Sequence, residues 1–294
     1  MTTAPRPGRL RAAPWLLLAP AMVVFGVFAA AFVLFAEVSL LRFVPGSTAL
    51  GGPATLDNYR RVLTSPLAHD AAINTLALAG LMTLITVVLG YPLAYVLART
   101  PSVLVRRAIL FGLVVTFLSG GVTRAYAWLV LLGNRGFVNQ ILAALGLPTV
   151  PLVHNATGVV IGVAHYLLPF LVLALLGTLK NVPPALEEAA KNLGASGWRV
   201  FLYVTLPLSL PGLITTASLT FVGALSAFLF PELLGGGRTH MAATIIYERI
   251  VTNYNLPEAA AMSALFLLLA LAVLGGMGWV QQRLSRRLPV GGAR

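Results

Sequence analysis

Long apolar runs separated by short polar segments form the main pattern of this sequence. Six runs are each long enough to cross a bilayer, at residues 15–36, 71–98, 108–132, 156–179, 208–230 and 259–280. A hydrocarbon core of about 30 Å requires about 20 apolar residues in a helix, and backbone groups in lipid must be satisfied within the segment. The pattern therefore predicts an all-α, polytopic membrane protein with about six transmembrane helices.

The apolar runs also indicate how the chain is organised. Residues 1–70 hold an N-terminal tail, the first transmembrane helix and an outer loop. Residues 71–282 form a membrane core with a polar loop at 180–207, and residues 283–294 form a basic tail. The first run exceeds the length of a signal-peptide core and lacks a small-residue cleavage site, so we expect a retained helix.

Three short segments between the long runs have helical character. Residues 57–63 and 136–145 place apolar side chains at helical spacing, and both are expected to lie at the membrane interface. Residues 241–251 predict a third short helix. That helix lies either outside the membrane or dips back into the helix bundle.

Composition supports a membrane protein and excludes several other classes. The chain is 58% hydrophobic and 10% charged, with a mean hydropathy of +0.89, whereas soluble domains carry about 25% charged residues. The absence of cysteine excludes disulfides and thiolate metal sites. The four histidines lack metal-ligand spacing, so we expect neither a metal nor another cofactor.

The distribution of Arg and Lys predicts the orientation in the membrane. With six crossings and both termini inside, 13 basic residues lie on the cytoplasmic side and 6 outside. Membrane proteins collect basic residues in cytoplasmic segments, which explains the net charge of +12 without a nucleic-acid partner. The polar loop then faces the cytoplasm. Arg124 alone lies within a crossing and is expected to pair with Glu232 or a backbone carbonyl, while His165 is expected to be a satisfied core histidine.

The polar loop has the start and stop signals of two short helices. Pro184 suits the first turn of a helix, and Glu187 and Glu188 lie near its N-terminus, where the helix dipole favours negative charge. Gly194 is a suitable C-terminal stop, and Ser196 is a suitable N-cap for a second helix that leads to the fifth apolar run.

The spacing of residues in this loop resembles a known signature. Glu188-Ala189-Ala190 is followed after three residues by Gly194, after nine more by Val204, and after one more by Leu206-Pro207. This resembles the EAA signature of the permeases of binding-protein-dependent ABC transporters, which usually have isoleucine where this chain has Val204. The resemblance implies a type I importer bundle in which the loop is a coupling helix that docks on a cytoplasmic ATPase. The implied ATPase-coupling residues are Glu187, Glu188, Ala189, Ala190, Gly194, Val204, Leu206 and Pro207.

The resemblance also implies partners, because the chain has no means of hydrolysing ATP. It has no phosphate-binding loop of the Gly-x-x-x-x-Gly-Lys type, its only lysines are Lys180 and Lys191, and it shows no catalytic constellation. We therefore expect no enzyme activity, two ABC ATPase subunits, a second permease that is a different chain, and a periplasmic or lipid-anchored substrate-binding protein. The expected location is the bacterial cytoplasmic (inner) membrane, in contact with lipid and without nucleic acid.

Shorter strings are similar to the spermidine/putrescine subgroup of these permeases. They are Asn58-Tyr59, Asn74-Thr75, residues 90–95, 124–128, 131–133, 168–170 and 231–236. Tyr126 and Trp128 offer cation–π faces and Glu232 a negative charge for a cationic substrate, although Glu232 can equally cap or pair locally. Related permeases for opines, phosphonates or ferric ion share some strings. A secondary transporter driven by an ion gradient and a non-transporting scaffold are the alternatives from other classes.

Overall fold

The structure is a computed structural model that describes the backbone of residues 13–44 and 53–287 and the side chains of 18–44 and 53–283. The predicted N-terminal tail, part of the outer loop and most of the basic C-terminal tail lie outside these residues. Within them the chain is helical and contains no strand, so the all-α prediction is confirmed. The helices are α1 (Ala13–Ser39), α2 (Asp57–Thr64), α3 (Pro66–Arg99), α4 (Val103–Leu118), α5 (Gly121–Leu132), α6 (Phe137–Ala144), α7 (Ala156–Lys180), α8 (Pro184–Asn192), α9 (Gly197–Val200), α10 (Leu206–Leu225), α11 (Leu229–Gly235), α12 (Ala242–Val251) and α13 (Leu256–Arg287).

The predicted apolar runs correspond to the long helices. In the described residues, five helical stretches are long and apolar enough to cross a membrane, and the bent pair formed by α4 and the segment from α5 onward makes a sixth. The two outer segments predicted as short helices appear as α2 and α6. The prediction of a polytopic helical protein is therefore confirmed at the level of its elements.

Two of the predicted runs are broken rather than continuous. Residues 108–132 divide between α4 and α5, and α4 makes an angle of 104° with the segment Gly121–Ala144 that follows the break. Ser119 adopts an extended conformation there, and Gly120 precedes the new helix. Both residue types have a low helix propensity, which favours a break at this point. Residues 208–230 divide between α10 and α11, with Ser226 at the end of α10.

The chain divides into two compact units, of which the smaller contains residues up to 65 and residues 248–265. Asn58 is buried there and donates hydrogen bonds to the carbonyls of Ser39 and Leu41, both at 2.8 Å. The hydroxyls of Tyr59 and Ser39 lie 2.7 Å apart. The string Asn58-Tyr59 thus fixes α2 to the chain that leaves α1.

The larger unit contains residues 66–247 and 266 onward, and α3 and α7 form its central pair. One cluster of buried side chains lies around Met82, Val163 and Phe221, and a second around Tyr91, Leu97 and Leu175. Gly162 permits close packing, because a Cβ at that position would lie 2.7 Å from the side chains of Phe230 and Leu234. Small residues are used in this way wherever membrane helices approach closely.

The start of α12 is buried in the larger unit. Met241 is fully buried, and the backbone N–H of Ala242 donates to the Thr75 hydroxyl at 2.8 Å. Thr75 in turn donates to the carbonyl of Ala71. The structure therefore packs the first residues of this segment against α3, whereas Tyr247, Glu248 and Val251 further along it are exposed.

Candidate functional site

The polar loop between α7 and α10 folds into a short helix, a tight turn and a second helix. Pro183 is extended and ends the continuation of α7, and α8 begins at Pro184. Proline is tolerated at that position because the first N–H groups of a helix have no intrahelical acceptor. Glu187 lies in the first turn and Lys191 in the last, both in the sense that the helix dipole favours.

The turn after α8 is closed at Gly194. Its φ is +85°, a left-handed conformation that glycine adopts at little cost. The N–H of Gly194 donates to the carbonyl of Lys191 at 2.9 Å, and the N–H of Ala195 donates to that of Ala190 at 3.1 Å. These two bonds form a Schellman motif, which satisfies carbonyls that the end of a helix would leave free. The predicted glycine stop is confirmed.

The second helix continues directly into α10. Ser196 is the N-cap residue of α9, as predicted, but its side chain makes no capping hydrogen bond. Residues Phe201–Thr205 form a π-helical turn between α9 and α10. Such turns carry one residue more than an α-turn and occur frequently at functional sites. The second helix of the loop is therefore continuous with the fifth membrane helix.

Several apolar side chains of this polar loop are exposed. Leu193, beside the turn, is 90% exposed, and Trp198 is 67% exposed. Glu188 and Ala189 are exposed as well, and Ala190 is half-buried. Isolated exposed apolar residues are common, but a group of them on two rigid helices is typical of a surface that binds a partner. We use the name loop surface for six of the exposed residues of this loop: Leu186, Glu188, Ala189, Leu193, Gly194 and Trp198.

Glu187 lies on the buried face of α8, toward the rest of the chain. It is 4% exposed, and its Oε1 pairs with Nη2 of Arg99 at 2.9 Å. The same oxygen accepts a hydrogen bond from the hydroxyl of Thr205 at 2.9 Å. Of the eight residues predicted to contact an ATPase, Glu187 is therefore held inside the chain.

Three other residues of the predicted set lie at the root of α10. Val204, Leu206 and Pro207 are half-buried rather than exposed. Leu206 packs against the buried cluster around Tyr91 and Leu175. These three residues are therefore partly covered by the chain, whereas Glu188, Ala189 and Gly194 face water.

Phe201 is the centre of an aromatic group that the spacing of residues did not predict. Its ring stacks on Trp198 at 5.3 Å and meets Tyr91 and Tyr95 edge-on at 5.5 and 5.8 Å. The hydroxyls of Tyr91 and Ser209 lie 2.6 Å apart. Sequence offered one signal, the tyrosines of the 90–95 string, but their partner lies more than a hundred positions away.

The three predicted substrate-path residues do not form one group. Tyr126 is exposed on α5 and Glu232 is exposed on α11. Trp128 is half-buried, and its Nε1 donates to Nδ1 of His165 at 3.1 Å. Within the described residues no hydrogen bond, ring contact or ion pair joins the three. His165 is half-buried and accepts this hydrogen bond, so it is a satisfied histidine, although it lies outside the buried clusters.

Arg124 finds a backbone partner. Its Nε donates to the carbonyl of Ser119 at 3.1 Å, and its guanidinium lies 4.5 Å from the centre of the Tyr166 ring. Its buried Nη1 has no partner. Of the two predicted pairings, the carbonyl is found, and in the described part of the chain no ion pair joins Arg124 to Glu232.

A cavity of about 290 Å³ lies where the two broken runs meet. It is lined by Gly121 at the α4–α5 break, by Ser226 and Phe228 at the α10–α11 break, and by Tyr166 and Phe230. The pattern of apolar runs does not predict this cavity, although the Ser119-Gly120-Gly121 string signals a helix break. Across residues 18–44 and 53–283, no group of His, Asp or Glu is arranged to hold a metal ion.

Comparison with known proteins gives consistent matches. A family model described as "Binding-protein-dependent transport system inner membrane component" matches residues 10–287. The chain is 34% identical over 236 residues to the spermidine/putrescine transport system permease protein PotB of Escherichia coli (strain K12), covering 80% of this chain and 84% of that protein. It is 32% identical over 231 residues to the protein of the same name from Haemophilus influenzae, covering 78% and 80%.

A solved structure has the same fold. It is the crystal structure of a bacterial ABC transporter involved in the import of the acidic polysaccharide alginate, with a TM-score of 0.75. The superposition covers 92% of this chain and 96% of that chain at 20% sequence identity. At this identity the likeness shows the arrangement of helices alone.

Proposed function

This chain belongs to the family of binding-protein-dependent transport system inner membrane components, and from that premise we propose that it is a permease subunit of an ATP-driven importer of spermidine or putrescine. It spans the inner membrane several times and leaves ATP hydrolysis to a separate subunit. The polyamine assignment is supported by the PotB relatives, which are more than 30% identical over most of both chains.

The loop surface is the observation that carries the proposal. The turn at Gly194 joins the two short helices α8 and α9, and α9 continues into α10. The loop formed in this way exposes Leu193 and Trp198 to water. A loop that only connected two crossings would gain nothing from exposing these side chains. We assign Glu188, Ala189, Ala190 and Gly194 to the contact with an ATPase subunit, since small residues permit close approach.

The orientation of the loop supports the same assignment. The excess of Arg and Lys on one side, 13 against 6, favours the arrangement in which residues 180–207 face the cytoplasm. ATP is hydrolysed there, so an ATPase can reach the loop surface. Two ATPase subunits, a second and different permease, and an external substrate-binding protein complete the proposed importer.

The path of the substrate is proposed to pass exposed groups of α5 and α11. Tyr126 offers a ring face and Glu232 a carboxylate to a cationic solute, and both are accessible. Trp128 contributes a ring, with its N–H already donated to His165. Glu232→Gln should raise the KM for spermidine, with Glu248→Gln, also exposed, as the matched control. An unchanged KM in Glu232→Gln would remove this residue from the path.

The experiment that tests the function is reconstitution of the whole importer in vesicles. The chain is purified with its ATPase, its partner permease and its binding protein, and spermidine and putrescine uptake is measured with and without ATP. We expect uptake only with ATP and the loaded binding protein. Uptake that continues without the ATPase and stops with a protonophore would instead establish a secondary transporter. ATP-driven uptake of another solute, with neither polyamine accepted, would overturn the substrate assignment alone.

A further inference from the structure

Glu187 is the one acidic residue of the coupling loop that an ATPase cannot reach in this geometry. It is 4% exposed, whereas its neighbour Glu188 is exposed to water. A buried carboxylate is costly unless it is paired and hydrogen-bonded. Its contacts within the chain therefore indicate what it does.

A single oxygen of Glu187 receives three hydrogen bonds. Nε and Nη2 of Arg99 donate to Oε1 at 3.0 and 2.9 Å, and the Thr205 hydroxyl donates to the same atom at 2.9 Å. Nη2 of Arg99 also donates to the carbonyl of Val182 at 2.8 Å. Hydrogen bonds between ionised partners are shorter and stronger than neutral ones.

These contacts join four segments at one point. Arg99 is the last residue of α3, and Val182 follows the end of α7. Glu187 belongs to α8, and Thr205 is fully buried at the end of the π-helical turn that precedes α10. Three membrane helices are thereby connected to the helix that carries Glu188 and Ala189.

The hydrogen bonds of Glu187 are suited to fixing the orientation of α8 rather than to increasing the stability of the folded chain. A buried ion pair gains little net stability over apolar residues of the same size, because both charges lose their hydration. Its hydrogen bonds nevertheless require defined donor and acceptor positions, and the planar guanidinium of Arg99 fixes them further.

We propose that Glu187 is a positioning residue that, with Arg99 and Thr205, holds the coupling helix α8 to the ends of α3, α7 and α10. Movement of the loop surface is then passed to the membrane helices instead of being lost as rocking of α8. Glu188 contacts the ATPase, and Glu187 keeps that contact aligned. This inference rests on the proposed function, since it assigns the residue that transmits the motion.

The first test compares Glu187→Gln with wild type in the assembled importer. The loop surface is intact in this variant, so the ATPase should still co-purify and hydrolyse ATP. Spermidine transported per ATP should fall by at least about threefold, within the range of mutations that weaken coupling between sites. Thr205→Val, which keeps the side-chain size and removes one donor, should give a smaller fall. Glu248→Gln, exposed on α12, is the matched control and should keep the wild-type ratio.

The second test measures the position of α8 directly. The chain contains no cysteine, so spin labels at Asn192→Cys and Val96→Cys report one distance between α8 and α3. Both positions are exposed and outside the contacts described above. Glu187→Gln should broaden the distance distribution in the assembled complex, and Thr205→Val should broaden it less. A purely structural role would lower stability without broadening the distribution in the complexes that assemble.

The outcomes separate this inference from the proposed function. An unchanged transport ratio and an unchanged distribution in Glu187→Gln would overturn the inference while the wild type still transports. If the Glu187→Gln importer does not assemble, the transport ratio and the distance distribution of Thr205→Val test the inference instead. If the wild-type importer shows no ATP-driven uptake, the proposed function fails, whereas the distance distributions still test whether Glu187 positions α8.

Discussion

Replacement of Gly194 by alanine tests whether the left-handed turn of the coupling loop is required for transport. No atom lies within 4 Å of the position that a Cβ would take at Gly194, so alanine creates no clash within the chain. The cost is confined to the backbone, whose φ is +85°. A residue with a Cβ in the left-handed region pays about 1–2 kcal/mol.

This cost predicts the size of the effect. A penalty of about 1–2 kcal/mol changes an equilibrium by a factor of about 5 to 30. If the ATPase binds only the closed turn, spermidine uptake by Gly194→Ala should fall by about that factor at subsaturating ATPase. Uptake is measured in cells without other polyamine importers, and immunoblots confirm equal amounts of the protein in the membrane.

Two variants serve as matched controls for Gly194→Ala. Gly197→Ala lies three residues further on, is equally exposed, has open space at its Cβ and has no positive φ, so uptake should stay near wild type. Gly194→Asn adds a larger side chain, but asparagine visits the left-handed region with less strain. It should therefore retain more uptake than Gly194→Ala. If Gly194→Asn retained less uptake than Gly194→Ala, the reasoning would be refuted, because the loss would then follow side-chain volume rather than the left-handed backbone conformation.

Three further predictions concern individual contacts within the chain. Gly212→Ala should lower the melting temperature in detergent, since its Cβ would lie closer than 3.0 Å to the Thr178 side chain and overpacking costs about 1–3 kcal/mol. Thr178→Ala in the same chain should restore part of the loss, and equal melting temperatures for the single and double variants would contradict the clash. Asn58→Ala leaves the carbonyls of Ser39 and Leu41 without their donor at a cost of about 1–3 kcal/mol. Limited proteolysis between α1 and α2 should be faster than in Asn253→Ala, an exposed control, and equal rates would argue against this anchor. Trp128→Phe keeps an aromatic side chain but removes the indole N–H that donates to His165, so stability should fall by at least about 0.5–1.5 kcal/mol. A melting temperature identical to wild type would show that this bond contributes nothing.

The sequence by itself determined the class of protein and the position of the coupling loop. A helix that crosses the membrane needs about 20 apolar residues, so each crossing can be recognised in the sequence as a long apolar run. The turn at Gly194 is equally local, since a left-handed helix end is set by one residue and its immediate neighbours. The EAA spacing lies within 20 residues and required no tertiary information.

Only the tertiary structure decided which residues of the loop face water and which face the rest of the chain. Glu187 and Glu188 are adjacent and chemically alike, yet Arg99, 88 positions earlier, buries one of them and leaves the other in water. The cavity between the two helix breaks and the contact of the start of α12 with Thr75 also depend on residues far apart in the sequence. A helical period of 3.6 residues indicates which side chains share a face, but the direction of that face is set by whichever helix packs against it.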